Sequence, residues 1–355
     1  MKCISNWVQI TTRLDGIAAR LVACSPDIGL LTPRAKAHLV ASFLRANNLL
    51  GIEPGRDYHS LEHNFLGFAL DDPEHNSLPL ISAAIYCYTA QRVGLNAQPC
   101  GFPFHVHVIV IPPAGLEMDG SVADSDSVGK PMYIDPFHSE GETPISDLEN
   151  QLNLLGTPSH RKAALLRESL TSDIVLRCGK NILFSVQHTA HLLGPYLPPV
   201  DVTSARYAAF WASMLLRGPS RSPELSYYLP KLLEIVITEF PSDAYLIEKF
   251  VLPLFRGMPE YDNIRDKLHV MLTVDGFPKQ PQLRTSGCEG VLYRVGQVFC
   301  HRRYNYRAVI TGWDPECGAT EQWKRIMGID RLQAKGHQSF YHVLYVVNFL
   351  DEGVV

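Results

Sequence analysis

Residues 58–111 read YHSLEHNFLGFALDDPEHNSLPLISAAIYCYTAQRVGLNAQPCGFPFHVHVIVI. Two elements stand out in this stretch. The run from about Pro79 to Val93 carries Ile81, Ala84, Ile85 and Tyr88 at helical spacing. Pro79 suits a first helical turn, where its missing N–H costs nothing, and Gly94 suits the left-handed residue past the end. His105 to Ile111 alternates and is rich in β-branched residues, so it predicts a strand. Farther on, MYIDPF (Met132 to Phe137) predicts a partner strand ending at Asp135.

The bulk numbers bound the class. A chain of 355 residues has room for two or more domains. Hydrophobic content of 46% with 19% charged residues is ordinary for a globular protein. A net charge of −4 provides no global attraction to nucleic acid or acidic membrane, so any such binding must come from a local patch. The eight cysteines are scattered, with no C-x-x-C pair, which predicts reduced intracellular thiols and neither a disulfide framework nor a zinc site. The N-terminus reads as no signal peptide, and no apolar run reaches membrane-spanning length. An intracellular location, cytoplasmic or nuclear, is the expectation.

Working outward, helices are expected over 6–23, from Thr32-Pro33 to about Asn48, and from Ser60 to Leu70. Residues 112–131, rich in Gly, Pro, Ser and Asp, predict a mobile loop between the two strands. From Ser146 to about Asp275 the pattern is helical, with helices expected at 146–155, 159–178, 181–193, 203–217, 223–239, 242–257 and 260–272 and caps at Ser146, Thr203 and Ser242. No fixed-period repeat emerges. Phe277 to Gly290 is a Pro/Gly/Ser linker. Beyond it, LYRVGQVFCH, YRAVITGWD and FYHVLYVV are short β-type runs, the make-up of a small all-β module of SH3-like barrel size.

A helix, then a strand with a His, then a strand ending in Asp is the chain order of a transglutaminase-like core. YHSLEHNFLGFAL, SLPLISAAIYCYTAQRVGL, GFPFHVHVIV and YIDPF resemble the bacterial Sir-B-type transglutaminase-like domain. The tail, with RVGQV, HRRY, GWDP and FYHVL in series, resembles a YccV-type domain, the module named for hemimethylated-DNA binding. The two in this order resemble eukaryotic proteins of the F-box only protein 21 group. The resemblance implies an α+β chain: a helix-rich transglutaminase-like (papain-like) domain with a helical array over 1–275, a linker over 276–290, and a YccV-like β-barrel over 291–355. It also implies intracellular work in the ubiquitin conjugation pathway, as the substrate-receptor part of a ubiquitin-ligase subunit. The F-box that precedes these domains in the group is not seen, and the barrel reads as truncated after Tyr345.

In that family a Cys at the helix N-terminus attacks an acyl carbon, a His takes the proton and an Asp orients it. His105 and Asp135 match the base and the orienter, and the nucleophile slot falls near Pro79. A proline cannot attack, so the implied domain is a pseudoenzyme with a binding role and His105 and Asp135 as relic positions. Ser77, Ser82, Cys87 and Cys100 lie nearby in sequence but out of the needed position. The competing expectation is a hydrolase or acyltransferase that uses His105 and Asp135 with a displaced nucleophile.

Other constellations carry less. His59-Ser60-Leu61-Glu62-His63 fits the H-x-x-E-H zinc motif without a third ligand, and His105-x-His107 reads as packing, so no metal and no cofactor is expected. Tyr228 to Val236 reads as an amphipathic helix with a first-turn proline, Pro230. Arg302, Arg303, Tyr304 and Arg307 interleave basic and aromatic side chains and are the candidate DNA contacts. Residues 291–355 hold eight basic residues against six acidic ones, a weak net of +2 for a DNA-binding module. Trp313, Trp323, Phe340 and Tyr341 read as barrel core.

Overall fold

The computed structural model describes residues 7–123, 129–191, 200–216, 222–276, 288, 290–302, 306–319, 324–325 and 328–345. The chain divides into two compact units, Met1–Gly276 and Phe277–Val355.

The first unit opens with helices α1 (Trp7–Cys24) and α2 (Pro33–Ala46). Each buries one stripe: Leu14, Ile17, Ala18 and Leu21 on α1, and Ala37, Val40, Ala41 and Leu44 on α2. The spacing is that of one helical face. Thr32 caps α2, its side chain accepting from the Ala35 N–H, with Pro33 at the first position. The helix expected over 60–70 is broken instead. A 3₁₀ turn, Leu61–Asn64, is followed by extended Phe65 and then the short α3 (Leu66–Asp71). The Asn64 amide donates to the Leu61 carbonyl and to Ser185 Oγ, contacts that a continuous helix forgoes.

Helix α4 (Pro79–Arg92) is the centre of the unit. The expected stripe of Ile81, Ala84, Ile85 and Tyr88 understates its burial. Ten residues around its whole circumference are buried, and Ala84 and Tyr88 are only half-buried. A helix buried all round has neighbours on every side. Here α1, α2 and a sheet surround it.

That sheet is antiparallel in the order β1 (Asn96–Pro99), β2 (Val108–Ile111), β3 (Met132–Ile134). Val108 pairs with Ile134 and Val110 with Met132. Alternation splits the strands between two cores. Ala97, Val108, Val110, Met132 and Ile134 join the core around α4, whereas Ile109 and Tyr133 meet Leu148 and Leu152 of α5 (Ile145–Leu154). The intervening loop is tied down where it is described. Met118 is buried in the α4 core and its carbonyl accepts from the Arg34 N–H.

The remaining helices are α6 (Ser159–Leu165), α7 (Thr171–His191), α8 (Val202–Leu215), α9 (Ser222–Thr238), the single turn α10 (Ala244–Leu246) and α11 (Glu260–Gly276). Four expectations are corrected here. The helices expected at 159–178 and 181–193 are divided differently, with α6 ending at Leu165 and α7 running unbroken through residue 180. The segment between them pairs with the sheet instead: Ser169 N donates to the Pro99 carbonyl and Gly101 N to that of Arg167. The helix expected at 242–257 is a run of 3₁₀, α and π turns, Pro241 to Phe255, with Pro253 lacking an N–H within it. Pro230 lies inside α9, well past its first turn. The capping residues are Pro144 and Asp201 in place of Ser146 and Thr203, and the Asp201 carboxylate accepts from Thr203 N. Phe210, Leu232, Val236, Ile247, Val251, Phe255 and Ile264 form the core of this helical part.

The second unit holds an antiparallel sheet of β4 (Val298–Cys300), β5 (Arg307–Asp314) and β6 (Phe340–Tyr345). A register shift between Ile310 and Gly312 marks a bulge. Val291, Ala308 and Ile310 are buried there. No helix among the described residues is long and apolar enough to cross a membrane.

Candidate functional site

Two loops at one end of the first sheet bring the chemistry together. The strand expected over 105–111 starts only at Val108, so His105 belongs to the loop before β2. That loop turns sharply. Phe104 takes a left-handed backbone, φ 64°, and His105 N donates to the Pro103 carbonyl at 2.8 Å. A positive φ on a bulky aromatic residue is a strained conformation that surrounding contacts must hold. Arg177 of α7 supplies one, its Nη1 donating to the Phe102 carbonyl at 2.9 Å. Another is the Cys100 N–H, which donates to the His107 carbonyl at 2.7 Å.

The second loop follows β3. Asp135 is 8% exposed. Its Oδ1 accepts from the Phe137 and His138 N–H groups at 3.2 and 3.3 Å, an Asx turn that folds the chain back. Arg45 of α2 braces the same turn, Nη1 donating to the Phe137 carbonyl at 2.8 Å. The other carboxylate oxygen, Oδ2, faces two imidazoles: His105 Nε2 at 2.8 Å and His138 Nδ1 at 2.7 Å. His105 Nε2 is fully buried, yet its hydrogen-bond direction misses the oxygen it approaches. The His105 ring also meets the rings of His107, Phe137 and His138 at centroid distances of 5.1, 6.3 and 4.8 Å.

Electrostatics follow from this packing. Burial pushes the Asp135 carboxyl up, but the two neighbouring imidazoles, His105 through its close approach and charge and His138 through its hydrogen bond and charge, outweigh it and hold it down at about 2. His107 is 5% exposed, and Phe102 sits against its ring at 5.1 Å. Burial, with the like charge of His105, pushes its pKa down to about 4, so it is neutral at physiological pH.

The pair His105 and Asp135 is therefore brought together as the sequence implied. His138 was missed; its signal was an imidazole three residues after Asp135, the reach of an Asx turn. At the nucleophile slot, Pro79 is buried at the first position of α4, after extended Leu78. Ser77 and Ser82 are fully buried, their hydroxyls 2.8 Å apart, and Ser82 Oγ accepts from the Gly51 N–H. Cys87 is buried in the α4 core, where burial pushes its thiol far up. Cys100 is pushed up to about 11 by burial, and its Sγ donates to the Leu165 carbonyl. Among the described residues, no Ser or Cys hydrogen-bonds to the His105 Nε2.

The H-x-x-E-H residues do not converge. His63 is buried, while His59 lies in the turn before the 3₁₀ segment and packs on Phe184 and His188 of α7. In the second unit, Arg302 and Arg307 are exposed, the latter on β5, while Arg303, Tyr304 and Trp323 lie outside the described residues. His301 and Tyr306 stack at 4.9 Å. The Tyr341 hydroxyl accepts from the Leu292 and Tyr293 N–H groups, an internal role for that aromatic.

Helix-led α4, the sheet behind it and a His–Asp pair across the loops define a transglutaminase-like domain, and residues 9–180 match the transglutaminase-like superfamily. Residues 291–351 match the family described as hemimethylated DNA-binding protein YccV like. The chain carries both domains and is homologous to proteins named F-box only protein 21. It is 46% identical to the one from Mus musculus over 285 residues, 75% of this chain and 41% of that protein. It is 44% identical to those from Homo sapiens and Pongo abelii, over 285 and 279 residues. The match thus spans about two-fifths of the length of these relatives. No solved structure matches the chain.

Proposed function

We propose that this is a non-catalytic binding protein, working inside the cell as the substrate-receptor part of a ubiquitin-ligase subunit, with residues 291–355 as its DNA-contacting module. One observation carries the non-catalytic reading. Pro79 occupies the first turn of α4, where acyl transfer needs a thiolate at the positive end of the helix. Cys87, Cys100 and Cys178 are all pushed away from the thiolate form by burial, which supports the same reading. The DNA role rests on the YccV-like match, and the ubiquitin-ligase role on the relatives' name.

The test is a mobility shift of the full chain on hemimethylated, fully methylated and unmethylated duplexes across a salt series. Preference for the hemimethylated duplex with steep salt dependence is expected. Binding absent at low salt removes the DNA role.

The 2.8 Å approach of His105 to Asp135 favours a second reading, a hydrolase or acyltransferase with a displaced nucleophile. A fluorophosphonate or iodoacetamide activity probe decides it. Labelling abolished by His105→Ala establishes the enzyme; absence of such labelling leaves the binding role.

A further inference from the structure

We propose that His105, Asp135 and His138 form a binding site for one divalent transition-metal ion of the zinc class. The inference is independent of the DNA and ubiquitin-ligase roles. It also departs from the expectation of no metal. That expectation considered His105 with His107, but the fold turns His107 inward and brings His138 to the carboxylate in its place.

Three observations carry it. The first is the donor set. Two imidazoles and one carboxylate suit zinc, cobalt or nickel, and do not suit calcium or magnesium, which take oxygen ligands. The second is convergence. One donor atom from each of His105, Asp135 and His138 lies within 4.8 Å of the others, and His105 Nε2 and His138 Nδ1 both approach Asp135 Oδ2. A tetrahedral ion with bonds of about 2.1 Å sets its ligand atoms about 3.4 Å apart. The 2.7 and 2.8 Å contacts to Oδ2 therefore open by about 0.6 Å to admit it. His138 provides that movement, since its side chain is 61% exposed on a turn. The third is the unmet need of His105 Nε2. This buried nitrogen sits beside a carboxylate without an aligned hydrogen bond. An ion between the groups gives its lone pair a partner.

The surroundings fit. Oδ1 of Asp135 is held by two backbone N–H groups, which fixes Oδ2 as the ligand and orients it, the usual work of an outer shell. Phe137 meets the His105 ring edge-on at 6.3 Å between centroids. The exposed His138 leaves one side open to solvent, which gives the ion its entry path and a coordination position for water.

The experiment uses the full chain, reduced and stripped with chelator, titrated with cobalt(II) chloride and then zinc chloride. One equivalent of cobalt is expected, with visible d–d bands of nitrogen and oxygen ligation, displaced by zinc. His138→Gln, a substitution at an exposed side chain that leaves the fold intact, weakens binding at least tenfold. Zinc raises the thermal midpoint of the parent chain and leaves that of His138→Gln unmoved. His105→Gln repeats the loss; if it fails to fold, His138→Gln decides alone. No binding at about 100 μM metal, binding unchanged in His138→Gln, or a thiolate-to-cobalt charge-transfer band overturns the proposal and leaves the three side chains a polar cluster without an ion.

Discussion

Arg177 Nη1 donates to the carbonyl of Phe102 at 2.9 Å, so helix α7 holds the loop that delivers His105. The guanidinium is partly buried, and burial lowers its pKa. Removing it leaves the Phe102 carbonyl without this charged donor beside the left-handed Phe104. A charged hydrogen bond of this kind contributes about 1.5–3 kcal/mol. Arg177→Met is expected to lower urea-unfolding stability by about 2 kcal/mol and to shift the His105 ring resonances in NMR spectra. Unchanged His105 resonances would show that the loop holds itself.

Acid is expected to destabilise the first unit in two steps. His107 has a folded pKa of about 4 against an ordinary 6.5, lowered by burial and by the like charge of His105, with Asp135 opposing and His138 adding. Between those values the unfolded chain binds the proton and the folded chain does not, so stability falls as pH drops from 6.5 to 4 and levels off below. The loss over the whole step is about 3 kcal/mol. Asp135 acts lower, with a folded value of about 2 against 3.8, so its contribution is present above 3.8 and lost as pH falls toward 2. Buried His63 and the half-buried His75, both shifted down, add to the first step with the same sign. Urea unfolding at pH 7.5 and pH 4.5 checks this: His107→Phe should lose about 2 kcal/mol less than the parent between them. Equal losses in the two chains would assign the step to other groups.

Much of this geometry was legible because periodicity reports burial. The α1 and α2 stripes, the α4 boundaries and the β2–β3 order follow from spacing and caps. What failed depended on contacts distant in sequence. HVHVIVI alternates like a strand throughout, yet its first three residues leave the ladder, because the Phe104 turn and Arg177 redirect them. The 159–178 helix stops at Leu165 because backbone at 167–169 bonds to Pro99 and Gly101, partners no local pattern reveals. His138 was invisible for a related reason. Its role depends on a turn whose shape is set by Asp135 itself and by Arg45.

The buried thiols give a direct test of the proposal that the first unit has no activated nucleophile. Burial raises Cys100 and Cys178 to about 11 and Cys87 further still. At pH 7 a thiol of pKa 11 is thiolate in about one molecule in ten thousand. Native alkylation with iodoacetamide followed by peptide mass spectrometry should modify the exposed Cys24 and Cys300 and spare Cys87, Cys100 and Cys178 until urea is added. Rapid native labelling of Cys87 or Cys100 would instead identify a displaced nucleophile and revive the enzyme.

Arg302 and Arg307 provide the last prediction. Both are exposed, and Arg307 projects from β5 in register with Cys300 of β4. A modest local excess of positive charge leaves little to compensate for losing either. If they contact phosphates, each neutralised contact releases counterions, and the slope of log affinity against log salt changes by about 0.9 per contact. Arg302→Ala and Arg307→Ala should each weaken binding to every duplex by a similar factor and flatten the salt slope by about one. Methylation preference should survive both, because phosphate contacts position the protein without reading bases. A variant that loses only the preference for the hemimethylated duplex would move that arginine from the backbone to the base edges. A variant with parental affinity at low salt would remove it from the interface.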